Sequence, residues 1–447
     1  MSVLGEMYLR KNKLIGIAIG ILVGILSYFF GALETAKLII ALIILKIAIK
    51  KPIYALILYI LSIPFVSDMN SLLMGIVVIV SYRIDFIREG KLKFRFTPAN
   101  FLLILFTITV VINTFLSVTP SGSFRDFAIH IIAIGIVFMM IHSKNTKKEV
   151  YWLSVTLVLT ATIVSIYGIY QYFQGVPMES GWVDITQNPD IKTRVYATFE
   201  NPNLLAEYLI MIFPISITLL FYNKNIIQKI CFASISFIIL ICIGLTLSRG
   251  SWVGLAFGMI LFVLLIDFKK LVFFIPAGLG AVFLMPTMIL QRIATIGSLQ
   301  DSSNFYRYNL WNMAVDILKD YWFSGIGVGY LAFRKISPLY IRTMSPYHTH
   351  NTYLQIAIEL GIVGIIVFLL LIINIFRMGV SAIVNSKNRF TKYFTTSYMV
   401  SLSAVLVHGM VEHVLYNPKI MLMFWLIVGM NICAYNIYID EKSIKEI

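Results

Sequence analysis

The sequence predicts an all-α polytopic membrane protein, and three observations carry that reading: an apolar composition, span-length apolar runs, and basic residues sorted to alternate loops. Hydrophobic residues make up 59% of the 447 and charged residues only 13%, with a mean hydropathy of +0.87. A soluble domain is about half apolar and about a quarter charged. A chain this apolar belongs in lipid, where helices satisfy their own backbone groups.

About 20 apolar residues cross the roughly 30 Å hydrocarbon core. Such runs fall at residues 14–31, 36–49, 52–66, 71–84, 99–116, 127–142, 150–173, 204–222, 230–247, 252–267, 271–290, 351–376, 394–413 and 419–438. The second, third, fourth and sixth are short for a span, so about 12–14 transmembrane helices are expected. Arg10-Lys11-Asn12-Lys13 before the first run resembles a signal sequence, but no small-residue cleavage site follows, so an uncleaved anchor is expected. Cys231, Cys242 and Cys433 all fall within runs, which predicts neither a disulfide nor a cysteine metal site. With no repeat and no soluble linker, residues 1–447 read as one membrane domain.

Counting alternate loops, 24 of the 36 lysines and arginines share the side of the N-terminus. By the positive-inside rule both termini are then cytoplasmic and residues 291–350 form a long exported loop. The net charge of +15 reports topology and contact with anionic membrane lipids, and nothing in it suggests nucleic acid.

The exported basic residues are few and clustered, which points to an anionic ligand. Arg249, in the tight turn Ser248-Arg249-Gly250-Ser251, must lie at the bilayer interface, where a planar guanidinium can grip phosphate oxygens bidentately. In the long loop, Ser302 or Ser303 can cap an amphipathic helix whose stripe runs Arg307, Trp311, Ala314, Leu318. Gly325-Ile326-Gly327-Val328-Gly329 then permits a tight approach of backbone to ligand or neighbour. Upstream, Arg194 leads to Asn201, Asn203 and Glu207 at the outer end of the 204–222 run, where amides and a carboxylate can bond hydroxyl-rich ligands. His350-Asn351 closes the loop, ahead of Glu359 and Gly361-Ile362-Val363-Gly364. Histidine exchanges protons near neutral pH, so His350 is a candidate general base. His348, two residues away, would point elsewhere on a helical start. Only His348, His350 and His413 with scattered carboxylates are exported, so no metal site is expected.

Together, Arg194 through Asn203, Ser248-Arg249-Gly250, Arg307 with Trp311, the glycine segment and Tyr347-His348-Thr349-His350-Asn351 with Glu359, Gly361 and Gly364 resemble the O-antigen ligase and polymerase superfamily of bacterial envelope enzymes. The resemblance covers residues 190–380. It implies transfer of a saccharide from an undecaprenyl diphosphate-linked glycan to an acceptor glycan or glycolipid, outside the cytoplasmic membrane and without a cofactor. On that reading Arg249 and Arg307 hold the diphosphate, Arg194 is a third clamp, and His350 is the base or orients the acceptor. His348, Asn201, Asn203, Glu207, Trp311, Asn351 and Glu359 are then candidates for substrate binding. Ligase and polymerase differ only in the acceptor, and the residues leave both open. Some superfamily relatives are regarded as inorganic-carbon transporters, so a small-anion transporter is the alternative, with His130, His408 and the glycine-containing runs 252–267 and 271–290 as its only intramembrane inventory. A non-catalytic assembly role would leave the exported arginines unexplained.

Overall fold

A computed structural model describes residues 17, 20–21, 23–29, 31–32, 35, 45–89, 97–143, 145–179, 182–183, 191–267, 269, 287–298, 300–343 and 346–445. These form α1 (Pro52–Ser62), α2 (Asp68–Glu89), α3 (Pro98–Phe115), α4 (Pro120–His142), α5 (Lys147–Gln174), α6 (Pro202–Tyr222), α7 (Ile226–Leu245), α8 (Arg249–Asp267), α9 (Thr287–Ala294), α10 (Ser302–Tyr321), α11 (Tyr330–Ile336), α12 (Thr352–Asn385), α13 (Arg389–His408) and α14 (Pro418–Lys445). No strand occurs among the described residues. Nine of the described helices, α2 to α8, α12 and α14, are long and apolar enough to cross a membrane. The protein is an all-α polytopic membrane protein, as its composition predicts. The predicted runs 36–49 and 271–290 lie largely outside the described residues, and 14–31 partly so.

Helix boundaries follow local chemistry. Proline opens α3, α4 and α6, where its missing N–H costs nothing. Thr146 and Glu149 close a reciprocal capping box on α5. Two expectations need correction. Asp301, rather than Ser302 or Ser303, caps α10, its Oδ1 accepting from Ser303 N and Asn304 N. The buried stripe of α10 is Leu310, Met313, Ala314 and Ile317. It is shifted from the predicted one, so Arg307 and Trp311 lie at its edge.

The innermost elements are α14, buried along nearly all of its apolar length, and α13, which packs on α6, α8, α12 and α14. Close packing of α8 on α13 depends on Gly250, Gly254 and Gly258, one turn apart. A Cβ at Gly254 would strike the Ala404 carbonyl, so this is a small-residue interface of the kind that brings membrane helices together. The glycines of run 252–267 are thus helix-packing residues.

The apolar run 394–413 overshoots its helix, because Met410 and Val411 are apolar but α13 ends at His408. Residues 409–417 form a loop, and this loop meets the start of α12: Thr352 N donates to Gly409 O (2.8 Å) and Asn351 Nδ2 to Met410 O (2.9 Å). Within α12, Gly361 adopts φ +65°, which an L side chain rarely tolerates. The interruption lets Ile358 and Glu359 carbonyls accept from Ile326 N and Gly327 N, while Ile362 N donates to Trp322 O. The 325–329 segment therefore approaches a neighbouring helix. The described parts of segments 116–119, 175–201, 246–248, 287–351 and 409–417 meet at this one end through such contacts.

Candidate active site

Asn351 caps α12, accepting from Tyr353 N and Leu354 N, so the preceding residues are loop and not helix. Both histidines consequently face one carboxylate, against the expectation that His348 points elsewhere. His350 Nδ1 lies 2.6 Å from Glu412 Oε1, and His348 Nδ1 lies 3.8 Å from the same oxygen. Their ring centroids are 4.2 Å apart. Glu412 is buried. Burial pushes its carboxyl up, but His350, His348 and Arg307 outweigh that and hold it well below the usual range. Facing an ionised carboxylate, His350 donates through Nδ1–H, which leaves Nε2 with the lone pair. Burial, then the neighbouring His350, keeps His348 well below its ordinary value, and burial takes His413 down to about 3.

The second Glu412 oxygen faces the arginines. Oε2 accepts from Asn203 Nδ2 (3.1 Å) and lies 3.8 Å from Arg307 Nη2. Asn203 Oδ1 accepts in turn from Arg194 Nη2 (3.0 Å), so Arg194, Asn203, Glu412 and His350 form a continuous chain. Arg194 also donates to Thr246 O and Trp182 O. Burial first, then Arg292, Arg307 and Arg249, draw its pKa down to about 9, which leaves it charged at neutral pH. Arg249 lies behind this row. Its guanidinium forks onto Asp301 with two 3.0 Å bonds and also reaches Thr295 and Asn304. Arg292 Nη1 shares Asp301 at 3.6 Å. Arg307, whose Nε donates to Val411 O, keeps 17% of its side chain exposed against 9% for Arg249. Four guanidiniums thus surround two carboxylates, and the excess positive charge is turned toward Arg307.

Residues 234–369, from α7 into α12, match the family model described as O-antigen ligase. Across these residues the chain is similar to the O-antigen ligase family. Among the described residues, nine helices long and apolar enough to cross a membrane accompany this match. Comparison with curated proteins finds none that matches the chain. The matched region holds Arg249, Arg292, Asp301, Arg307, His348 and His350, whereas Arg194, Asn203 and Glu412 approach it from outside its boundaries.

Other expected residues sit elsewhere around the matched region. Asn201 caps α6 and Asn351 caps α12. Glu207, one turn below Asn203, is paired with His408 Nε2 at 3.1 Å in the bundle. Glu359 accepts from Gln355 Nε2 and supports the glycine segment. Trp311 lies half-buried one turn from Arg307, its indole N–H without a partner among the described residues. The carboxylates are not scattered as expected. Ligand atoms of His348, His350 and Glu412 lie within 4.8 Å of one another, a set that can hold a metal ion. Arg307 and the guanidiniums behind it oppose a further cation there. Ala197, Glu200, Leu247 and His350 are the non-glycine residues with positive φ among those described. All four lie in loops of this end, and such strain clusters at functional sites.

Proposed function

We propose that this O-antigen ligase-like protein transfers a saccharide from an undecaprenyl diphosphate-linked donor to an acceptor sugar hydroxyl at the extracytoplasmic face. The observation that carries the reading is the position of Glu412, one oxygen on His350 and the other turned to Arg307. A proton acceptor and a basic anion site are thereby held side by side. Arg307 meets the diphosphate, with Arg194 beside it. Arg249 and Arg292 act from behind by supplying positive potential and fixing Asp301, the cap of α10.

In the transfer, the acceptor oxygen forms a bond to the anomeric carbon as that carbon's bond to the diphosphate oxygen breaks. The hydroxyl proton passes to His350 Nε2, and the pair of electrons leaves on the diphosphate. Preorganised guanidiniums stabilise this developing charge without reorganising. An oriented base of this kind contributes about 10²–10⁴-fold. An apolar groove of about 930 Å³ between α8, α12 and α13 runs from Tyr353 and Met410 at the site end toward Val384 and Asn385. Its length and apolar lining suit the polyprenyl tail.

Purified protein incubated with a lipid-linked oligosaccharide and an acceptor glycan is expected to release polyprenyl diphosphate. Absence of release, with labelled bicarbonate entering proteoliposomes instead, would replace transfer with transport.

A further inference from the structure

Beside His348 lies a feature that the transfer chemistry does not use. Tyr416 stands 4.5 Å from His348 by ring centroid, and Tyr330 and Tyr347 follow at 6.4 and 6.5 Å from Tyr416. Arg334 lies over Tyr347 at 5.0 Å and Arg125 over Tyr330 at 5.7 Å. Tyr347 is 51% exposed. Arg125 also lines a cavity of about 490 Å³, together with Asp68, Phe199, Glu200, Asn417 and Lys419. Because Arg125 both lies over Tyr330 and lines this cavity, the aromatic row borders it.

The chemistry of this wall differs from that of the arginine cluster. Asp68 and Glu200 balance Arg125 and Lys419, so the cavity offers no net attraction for a diphosphate. It offers carboxylates, an amide, an ammonium and a guanidinium, hence donors and acceptors in one wall. Thr198 Oγ1, also on the lining, has no partner among the described residues. Ring faces beside such groups suit a ligand with apolar faces and polar edges. A neutral sugar has that character, with C–H faces to lie on rings and hydroxyls at its rim. We propose that Tyr416, Tyr330, Tyr347 and this cavity form an acceptor-saccharide subsite, which leads the acceptor hydroxyl to His350. The assignment of "acceptor" rests on the transfer reading, whereas the binding of a saccharide does not.

The test separates the two. Lipid-free oligosaccharide, released by mild acid from the host's own surface polysaccharide, is titrated onto full-length protein in detergent by saturation-transfer NMR, with no donor present. Binding to wild type is expected, weakened at least tenfold in Tyr347→Ala and Tyr330→Ala, retained in Tyr347→Phe, and unchanged in Arg307→Ala. Equal binding by the tyrosine variants, or loss only in Arg307→Ala, would overturn the subsite and leave the rings as interfacial anchors. If transfer is absent but the tyrosine-dependent binding stands, the subsite survives and the transfer reading fails. If transfer proceeds and the acceptor KM is the same in Tyr347→Ala as in wild type, the subsite falls and transfer stands.

Discussion

Glu412 is the residue on which the site turns, and it was hidden from sequence reading for a physical reason. It follows Met410 and Val411 at the end of an apolar run, so it read as part of a span when it belongs to the loop beyond His408. The arginines and His350 were legible because charge on the exported side has to be explained, whereas nothing in the spacing reveals which carboxylate a histidine will meet. Glu412→Gln is expected to lower transfer by about two decades or more, since a neutral amide neither fixes the His350 tautomer nor stabilises the imidazolium. His348→Ala should be milder. Single-turnover release of polyprenyl diphosphate measures both. Arg249 needs a different experiment, because Asp301 is 0% exposed and Arg249→Ala would leave its charge only Arg292 at 3.6 Å, at a cost of up to about 3–5 kcal/mol. Adding Asp301→Asn should restore detergent thermal stability but not transfer. Recovery of full turnover in the double variant would show that Arg249 only balances Asp301.

At the scale of elements, α10 and α12 deliver the site, and each was legible in existence but not in detail. The amphipathic pattern gave a helix bearing Arg307, but the cap came from Asp301, a residue also drawn into the arginine pair. Gly361 and Gly364 stood out in the sequence, yet only the positive φ of Gly361 and its contact with the Phe323 carbonyl show why a side chain is excluded there. Gly361→Ala is expected to lose at least about 1 kcal/mol of stability, because strain and collision add. Gly364→Ala would set its Cβ against the Leu360 Cβ, an atom the backbone fixes, but carries no positive-φ strain, so its loss comes from collision alone and should be smaller. Thermal unfolding in one detergent compares the two, and equal losses would argue against the helix break as the source.

At the scale of the whole molecule, fold class followed from composition and the span-length apolar runs, while span boundaries did not, since hydropathy cannot distinguish a lipid-facing apolar residue from a loop residue buried under a cap. The buried histidines add a pH dependence. His413 is held at about 3 and His348 well below 6.5, so the unfolded chain binds more protons than the folded one between about pH 6.5 and 3. Stability then falls as pH drops through that window. The depressed Glu412 acts in the same direction below its ordinary range near 4.5. Unfolding midpoints in detergent should decline from pH 7 to pH 5, and a His413→Gln variant should decline less. Orientation is tested by a cysteine at Leu339, which is 74% exposed. An impermeant thiol reagent should label it in intact cells, and labelling only after lysis would invert the topology.

The most direct test of the Glu412–His350 pair beside Arg307 is single-turnover transfer from a lipid-linked oligosaccharide, with donor binding measured in the same preparations. His350→Ala should slow release of polyprenyl diphosphate by about two to four decades while donor affinity is largely kept, and Arg307→Ala should lose donor affinity as well as rate. A folded His350→Ala protein that turns over at the wild-type rate would contradict the assignment of His350 as the base.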